Sequence, residues 1–302
     1  MAFSQAQIIP MSVPEVIVGA EAMRAWTRRQ HASGRRVALV PTMGALHEGH
    51  LALVKKAAEI ADRVAVSIFV NPTQFGPGED FDAYPRTLDE DRAHLEGQGC
   101  CDVVFAPAVS EMYPLGANLT WVSVDGMGDH LCGSSRPGHF RGVTTVVSRL
   151  FAIIQPDVAV FGLKDAQQFF ILQRMTREMG FGTELVGLPT VREADGLALS
   201  SRNRYLTPAE RAAAPVLRRA LLEAEASIVT GGQRRAASIV SLVRSRLAAV
   251  SECREDYVQL VDTDTLQPVS DLVPGSRVLI ALAAFFGKAR LIDNVLVDVP
   301  QG

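Results

Sequence analysis

The sequence predicts an α/β protein: a doubly wound parallel-sheet, Rossmann-like domain followed by a smaller α+β domain. Three observations predict it. Val37–Val40 is an uninterrupted apolar run closed by Pro41, the mark of a strand buried on both faces, and a glycine-bearing loop then leads to helical spacing at Leu51, Val54, Ala58 and Ala61. The same succession of apolar strand, glycine, polar loop and helix returns at Val158–Phe161, Gly162–Asp165 and Ala166 to about Met179. Beyond Pro189 the pattern becomes helices followed by consecutive strands, the order of an α+β domain. The expected division is 1–188 and 189–302, in keeping with a chain of 302 residues, long for one domain.

The remaining elements follow in order. Ala20–Gln30 is an amphipathic helix through Ala22, Met23 and Trp26, stopped by Gly34. Val64–Val70 is a second buried strand, ending in Asn71-Pro72-Thr73-Gln74-Phe75. Gly76–Thr87 mixes glycine, proline, acids and aromatics, the composition of a mobile loop over a site. Leu88–Gln98 reads as helix and Val103–Ala106 as strand, 110–139 carries no clear period, and Val143–Ile154 is a strongly periodic helix. Thr183–Leu188 is the last strand of the first domain, and Val191–Tyr205 is polar and irregular. Thr207-Pro208-Ala209-Glu210 is a capping box with proline at the first helical position, opening a helix to about Val229. Gly231 and Gly232 break it, Arg234–Val250 is the next helix, and strands follow at Tyr257–Val261, Arg277–Phe285 and Arg290–Val297, the last two a hairpin around Gly287.

A hydrophobic content of 48% and a charged content of 21% describe an ordinary globular protein of enzyme size, and the net charge of -3 supplies no basic footprint for nucleic acid or an anionic membrane surface. Cys100, Cys101, Cys132 and Cys253 show no metal or redox spacing and read as unpaired thiols of a reducing compartment. Met1–Val18 lacks the pattern of a secretory signal, and the apolar run Val278–Phe286 is too short to span a bilayer. The expectation is a soluble cytoplasmic protein.

The first strand-to-helix junction is the richest in chemistry. Gly44 and Gly49 permit close approach to the backbone, and the unpaired amides of the following helix favour an anion. His47 and His50 stand three apart, so a first helical turn containing both sends their imidazoles to one face.

His47-Glu48-Gly49-His50 resembles the H-x-G-H signature of nucleotidyltransferases, and Pro41–His50 more specifically resembles the pantoate–β-alanine ligase family. The resemblance extends from about Val37 to Asn294, through Ser67–Pro72, Tyr84–Thr87, Arg136–Phe140 and Pro189–Ala198. It implies ATP-dependent condensation of pantoate with β-alanine through a pantoyl adenylate, with release of AMP and pyrophosphate, by a homodimer using Mg²⁺. It also implies that Met43, Gly44, Ala45, Leu46, His47, Glu48, Gly49, His50, Gly162, Leu163, Lys164, Asp165, Val191, Leu199, Ser200, Ser201 and Arg202 bind ATP. Gln74 and Gln168 are by the same resemblance pantoate ligands, His50 is the family's proton donor, and Glu90 and Asp91 are the metal candidates, the metal ligands staying undecided.

The chemistry of adenylation agrees with these residue types. A carboxylate brought against the α-phosphate of ATP requires cationic donors, which His47, His50, Lys164 and Arg202 supply as catalytic groups, with neutral donors from Ser200 and Ser201. Both histidines are expected to act as imidazoliums stabilising phosphate charge. Asp165 suits a ribose hydroxyl or the orientation of Lys164; Gln74 and Gln168 suit a hydroxy acid, and Arg136 is a further substrate-binding candidate. In isolation Lys164-Asp165 equally reads as an exposed pair, Ser200–Arg202 as a polar turn, Arg136 as a solvated cation and the glutamines as surface amides. Leu163, Ala166 and Cys132 depart from the family pattern, which touches the packing around the nucleotide. Two other classes remain: a nucleotidyltransferase of the same fold acting on a phosphate monoester, and a nonenzymatic nucleotide sensor.

Overall fold

A computed structural model describes residues 13–76, 78, 79, 81–116 and 118–301. The reading of Met1–Val18 as lacking a secretory signal therefore falls, through residue 12, outside the described residues. In chain order the elements are β1 (Glu15–Ile17), α1 (Ala20–Ala32), β2 (Val37–Thr42), α2 (Glu48–Ile60), β3 (Arg63–Ile68), α3 (Leu88–Gln98), β4 (Val103–Phe105), α4 (Val109–Met112), α5 (Cys132–Ser135) and α6 (His139–Ile154). Then come β5 (Val158–Gly162), α7 (Ala166–Glu178), β6 (Glu184–Leu188), α8 (Pro208–Ala213), α9 (Val216–Val229), α10 (Ala236–Ala248), β7 (Cys253–Asp262), β8 (Arg277–Phe286) and β9 (Ala289–Asp298). The chain divides into two compact units. The first runs to Trp121 and adds Val146–Phe161 and Phe181–Leu188; the second holds Val122–Thr145, Gly162–Gly180 and the chain from Pro189.

The first unit is built on a six-stranded sheet in the order β1-β4-β3-β2-β5-β6. The pairs β1–β4, β4–β3, β3–β2 and β2–β5 are all parallel. Strand order reverses between β2 and β5, the switch point beside which open α/β sheets bind ligands. Val40, Val54, Val66, Val104 and Val160 form its core with Leu46 and Leu95. Register is set by three aspartates, each one residue before a strand. Asp62 accepts the Arg36 amide at 2.8 Å, Asp102 the Val64 amide at 2.8 Å and Asp157 the Val37 amide at 2.7 Å. Pro41 does not end its strand as the sequence suggests: β2 continues to Thr42. The β5 partnership stops at Leu39, so the proline lies where β3 alone still pairs.

The second unit is organised on the antiparallel meander β7-β8-β9, with α9 and α10 packed on it through Leu217, Leu221, Ile239, Val243, Ile280, Leu282 and Phe286. The capping box forms as expected, Thr207 accepting from the Glu210 amide at 3.4 Å while Glu210 accepts from the Thr207 amide at 2.8 Å. The single helix expected from Thr207 to Val229 is instead two, because Pro215 offers no amide to continue the first. The last hairpin turns at Gly287, whose φ of 54° is the left-handed region.

All four cysteines are free thiols. Burial, reinforced by the Asp102 carboxylate, pushes the Cys101 thiol up to about 12, and burial beside Glu255 pushes Cys253 up to about 11. A raised thiol pKa keeps the group protonated and unreactive as pH rises through 8. A disulfide reagent at pH 8 is expected to leave Cys101 and Cys253 unmodified in the native protein and to modify all four cysteines after denaturation. Native Cys101 reacting as fast as in the denatured chain would contradict this.

Candidate active site

The loop between β2 and α2 is shaped by backbone groups that leave the sheet. Thr42 Oγ1 donates to the Ser67 carbonyl at 2.8 Å and accepts from the Gly44 amide at 3.2 Å. Gly44 and Ala45 then take φ of 84° and 51°. A Cβ at Gly44 would stand 3.0 Å from Asp91 Oδ2 and 3.2 Å from Ile68 Cγ2, so both conformation and space require glycine. Asp91, 1% exposed on α3, accepts the Ala45 amide at 3.1 Å and the Leu46 amide at 2.6 Å. Leu46 sends its side chain into the core and Glu48 is exposed. Asp91 is thus a functional residue whose task the sequence conceals: it fixes the loop, and its carboxylate is occupied by the protein's own amides.

His47 is the N-cap of α2. Its Nδ1 accepts the Gly49 amide at 3.1 Å, and His50 Nδ1 accepts the His47 amide at 3.3 Å. A Cβ at Gly49 would lie 2.9 Å from His47 Cε1, which explains the glycine between the histidines. The two rings lie with centroids 4.2 Å apart. An Nδ1 that accepts carries no proton, so each neutral ring bears its hydrogen on Nε2.

Beyond β3, Gln74 is half-buried and held at both ends of its amide. Asn71 Nδ2 donates to Gln74 Oε1 at 3.1 Å, and Gln74 Nε2 reaches Met43 Sδ at 2.9 Å. Asn71, 1% exposed, accepts in turn from the Tyr113 hydroxyl at 2.7 Å. Burial holds the Tyr113 phenol above its usual range, and the Arg149 guanidinium lies 4.7 Å from its ring centroid. Gln74 is therefore the end of a built network and not a surface amide. The loop from Gly76 to Thr87, within its described residues, packs on itself through Phe75, Phe81 and Tyr84, with Arg86 bonded to the carbonyls of Phe81, Asp82 and Tyr84.

The metal candidates do not fit. Asp91 is occupied as described, Glu90 is exposed, and among the described residues no three His, Cys, Asp or Glu side chains gather to hold an ion.

In the second unit, Lys164, Ser200 and Arg202 line one cavity with Asn203, Arg290 and Asp293. Gly162 leads into a 3₁₀ turn, Leu163–Asp165, and Ser200 Oγ caps another, Ser201–Tyr205, by accepting the Arg202 amide at 3.2 Å. The Leu199 amide bonds the Val191 carbonyl at 2.9 Å, and the Arg192–Ala198 bridge closes the hairpin that delivers the serines. Arg192 pairs with Asp293 through bonds of 2.7 and 2.9 Å, and Arg290 with Asp256 at 2.8 and 2.9 Å. Among the described residues Lys164 and Arg202 meet no carboxylate, and Asp165 is exposed and forms no ion pair with Lys164. The cavity consequently carries uncompensated positive charge, the environment of a polyanion.

Some sequence candidates stand elsewhere in this unit. Gln168 is half-buried on α7, while its neighbour Gln167 is the buried one, donating to the carbonyls of Met127 and His130 at 3.1 and 2.7 Å. Arg136 lies 3.1 Å from His139 Nε2 through its Nη1. Of the departures from the family pattern, Ala166 is buried and Leu163 half-buried, and Cys132 Sγ lies 3.2 Å from the Tyr257 hydroxyl and 3.9 Å from the Arg290 guanidinium. Arg290, on the cavity wall, escapes a reading of the sequence because a lone arginine in a strand carries no signal.

The chain is similar to known proteins over nearly its whole length. Residues 15–296 match the family model described as pantoate-β-alanine ligase. A pantothenate synthetase of Salinibacter ruber is 54% identical over 292 residues, covering 95% of this chain and 98% of its own. One from Moorella thermoacetica is 52% identical over 285 residues, covering 94% and 99%. Among solved structures, pantothenate synthetase from Thermus thermophilus superposes with a TM-score of 0.83 at 48% identity, over 93% of this chain and 98% of that one. Pantoate-β-alanine ligase from Francisella tularensis, in complex with β-γ ATP and β-alanine, superposes with a TM-score of 0.73 at 32% identity, over 94% and 97%.

Asp91→Asn retains the shape of the side chain but turns an amide donor toward two amides that need acceptors. The variant is expected to lose about 1 to 3 kcal/mol of stability in urea unfolding. Unchanged stability would show that the loop does not depend on this carboxylate.

Proposed function

The chain belongs to the pantoate-β-alanine ligase family, and from that premise we propose how its residues carry out the ATP-dependent condensation of pantoate with β-alanine. The pantoate carboxylate oxygen attacks the α-phosphorus of ATP, the bond to the β-phosphate bridge breaks, and pantoyl adenylate and pyrophosphate form. The β-alanine amine then attacks the acyl carbon, loses its proton and displaces AMP, leaving pantothenate.

One observation carries the assignment of roles: Lys164 and Arg202 line a cavity of the second unit and, among the described residues, pair with no carboxylate. Together with Ser200, Ser201 and the backbone of Gly162, Leu163, Asp165, Val191 and Leu199, they hold ATP and stabilise the charge that develops on its phosphates. From the first unit, Met43–His50 also bind ATP, His47 and His50 donating from Nε2 because Nδ1 of each is engaged by a backbone amide. Gln74, Gln168 and Arg136 bind pantoate. The network behind Gln74 supports this, since an oriented amide can both donate to and accept from a hydroxy acid. Gln74 and Gln168 are neutral and do not favour a phosphate monoester, which, with the family match, sets the nucleotidyltransferase alternative aside. A Mg²⁺ ion, if it accompanies ATP, would shield the charge of the phosphates, and no side chain of this chain is assigned to hold it.

Residues 1–188 carry the pantoate ligands and most of the ATP ligands, and 189–302, which add Val191 and Leu199–Arg202, form a lid domain. The protein works in the cytoplasm as a homodimer. Its free thiols suit the first expectation, and the exposed Val109, Leu115 and Leu119 suit a surface covered by another copy. Among the described residues no helix is long and apolar enough to cross a membrane.

With ATP, Mg²⁺, pantoate and β-alanine, the nucleotide product is expected to be AMP with pyrophosphate; ADP would overturn adenylation. With pantoate alone, labelled pyrophosphate should exchange into ATP. His50→Ala or Lys164→Ala should slow this exchange by about 10² or more. Gln74→Ala should weaken pantoate use by roughly 1 to 3 kcal/mol with little change in ATP affinity; an equal loss for ATP would remove Gln74 from the pantoate site.

A further inference from the structure

Strand β9 is apolar through Leu291, Val295 and Val297, yet two consecutive polar residues interrupt it, Asp293 and Asn294, exposed by only 3% and 8%. Buried polar side chains are retained at such a place when something needs their bonds. Asp293 takes the Arg192 guanidinium. Asn294 donates both hydrogens of its amide, one to the Leu163 carbonyl and one to the Lys164 carbonyl, each at 2.9 Å. These carbonyls belong to the 3₁₀ turn between β5 and α7, where neither a strand ladder nor a regular helix supplies donors.

We infer that Asn294 is a positioning residue for Lys164, an inference that rests on reading Lys164 as a charge donor to the nucleotide. Two carbonyls fixed on one amide set the planes of the peptides on either side of Lys164, and so the direction in which its side chain leaves the backbone. A lysine has four rotatable side-chain bonds, so the place of its ammonium depends strongly on where that chain begins. The chemistry is specific to the amide. A carboxylate would face two carbonyl dipoles with like charge, and a methyl would remove both donors. The neighbouring Asp293 does the corresponding service for the other motif: its partner Arg192 opens the hairpin that ends in Leu199–Arg202, and also donates to the Gly196 carbonyl at 3.0 Å. One dipeptide of β9 thereby fixes both cation-bearing segments of the cavity, and neither of its side chains need touch the nucleotide.

The test is ATP–pyrophosphate exchange with pantoate, using Asn294→Ala, Asn294→Ser, Lys164→Ala and the double variant Lys164→Ala/Asn294→Ala, with thermal midpoints for each. Displacing a catalytic group costs up to about 10²-fold, so Asn294→Ala should slow exchange at saturating substrates roughly 10- to 100-fold, with the pantoate KM almost unchanged. Asn294→Ser, which keeps one donor, should fall between Ala and the native protein. The decisive result is the double variant, expected to be no slower than Lys164→Ala alone, because a positioning residue has nothing left to position. Full multiplication of the two single effects would overturn the inference while leaving Lys164 in its role. A native rate in Lys164→Ala would overturn the parent reading and this one together. Failure of both Asn294 variants to fold would make the residue a support of the fold, and would also overturn the inference.

Discussion

A backbone polar group that leaves a ladder inside a protein must find another partner, and two loops of this chain, each following a strand of the parallel sheet, depend on that constraint. Between β2 and α2 the partners are the Asp91 carboxylate and the ring nitrogens of His47 and His50. At the turn after β5 the partner is the Asn294 amide. Each supplies hydrogen bonds to a short run of irregular backbone, and each fixes side chains suited to an anion. Rigidity at these turns thus derives from polar side chains on α2, α3 and β9, regular elements that are themselves packed into the cores of the two units.

The histidines show how this constraint passes into chemistry. A capping interaction at Nδ1 selects the tautomer, and the tautomer turns Nε2–H away from the cap. Nε2 is then the ring nitrogen that carries the hydrogen of each histidine in its neutral form. On the cavity wall of the second unit Asp293 pairs with Arg192 and Arg290 with Asp256, whereas among the described residues Lys164 and Arg202 meet no carboxylate. The paired groups shape the wall, and the proposed role of the other two cations would give a chain with a net charge of -3 a local field suited to a polyanion.

Much of this is legible in the sequence, for physical reasons that differ from residue to residue. Strands β2, β3 and β5 announce themselves by apolar runs, because a parallel strand is buried on both faces. The Thr207 capping box and the Gly287 hairpin are local, so their residues suffice to identify them. The irregular stretch from 110 to 139 is not legible: its short helices α4 and α5 have four residues each, too few to display a period. Pro215 stands inside an apparently continuous helical pattern, and the apolar spacing on either side of it masks the break it makes. The candidate site divides in the same way. Motif residues contiguous in sequence stand out, including His47, His50, Lys164 and Ser200–Arg202. The tasks of Asp91, Asn294 and Arg290 do not, because each acts across a long sequence separation, and neither composition nor spacing reveals which loop a buried polar group will serve.

The aspartates before β3, β4 and β5 show that such long-range bonds leave a local trace once their purpose is known. Asp62, Asp102 and Asp157 each stand one residue ahead of a strand and accept an amide at the start of a neighbouring one. In a parallel pair a slip of one residue would turn every side chain to the opposite face. Here both faces are apolar, so hydrophobic burial alone distinguishes registers weakly, and a charged group that must meet one particular amide distinguishes them strongly. The carboxylates at the amino ends of the strands therefore determine where the carboxyl ends fall. It is from those carboxyl ends that the loops carrying His47, His50 and Gln74 depart, so the placement of these side chains begins at the opposite edge of the sheet.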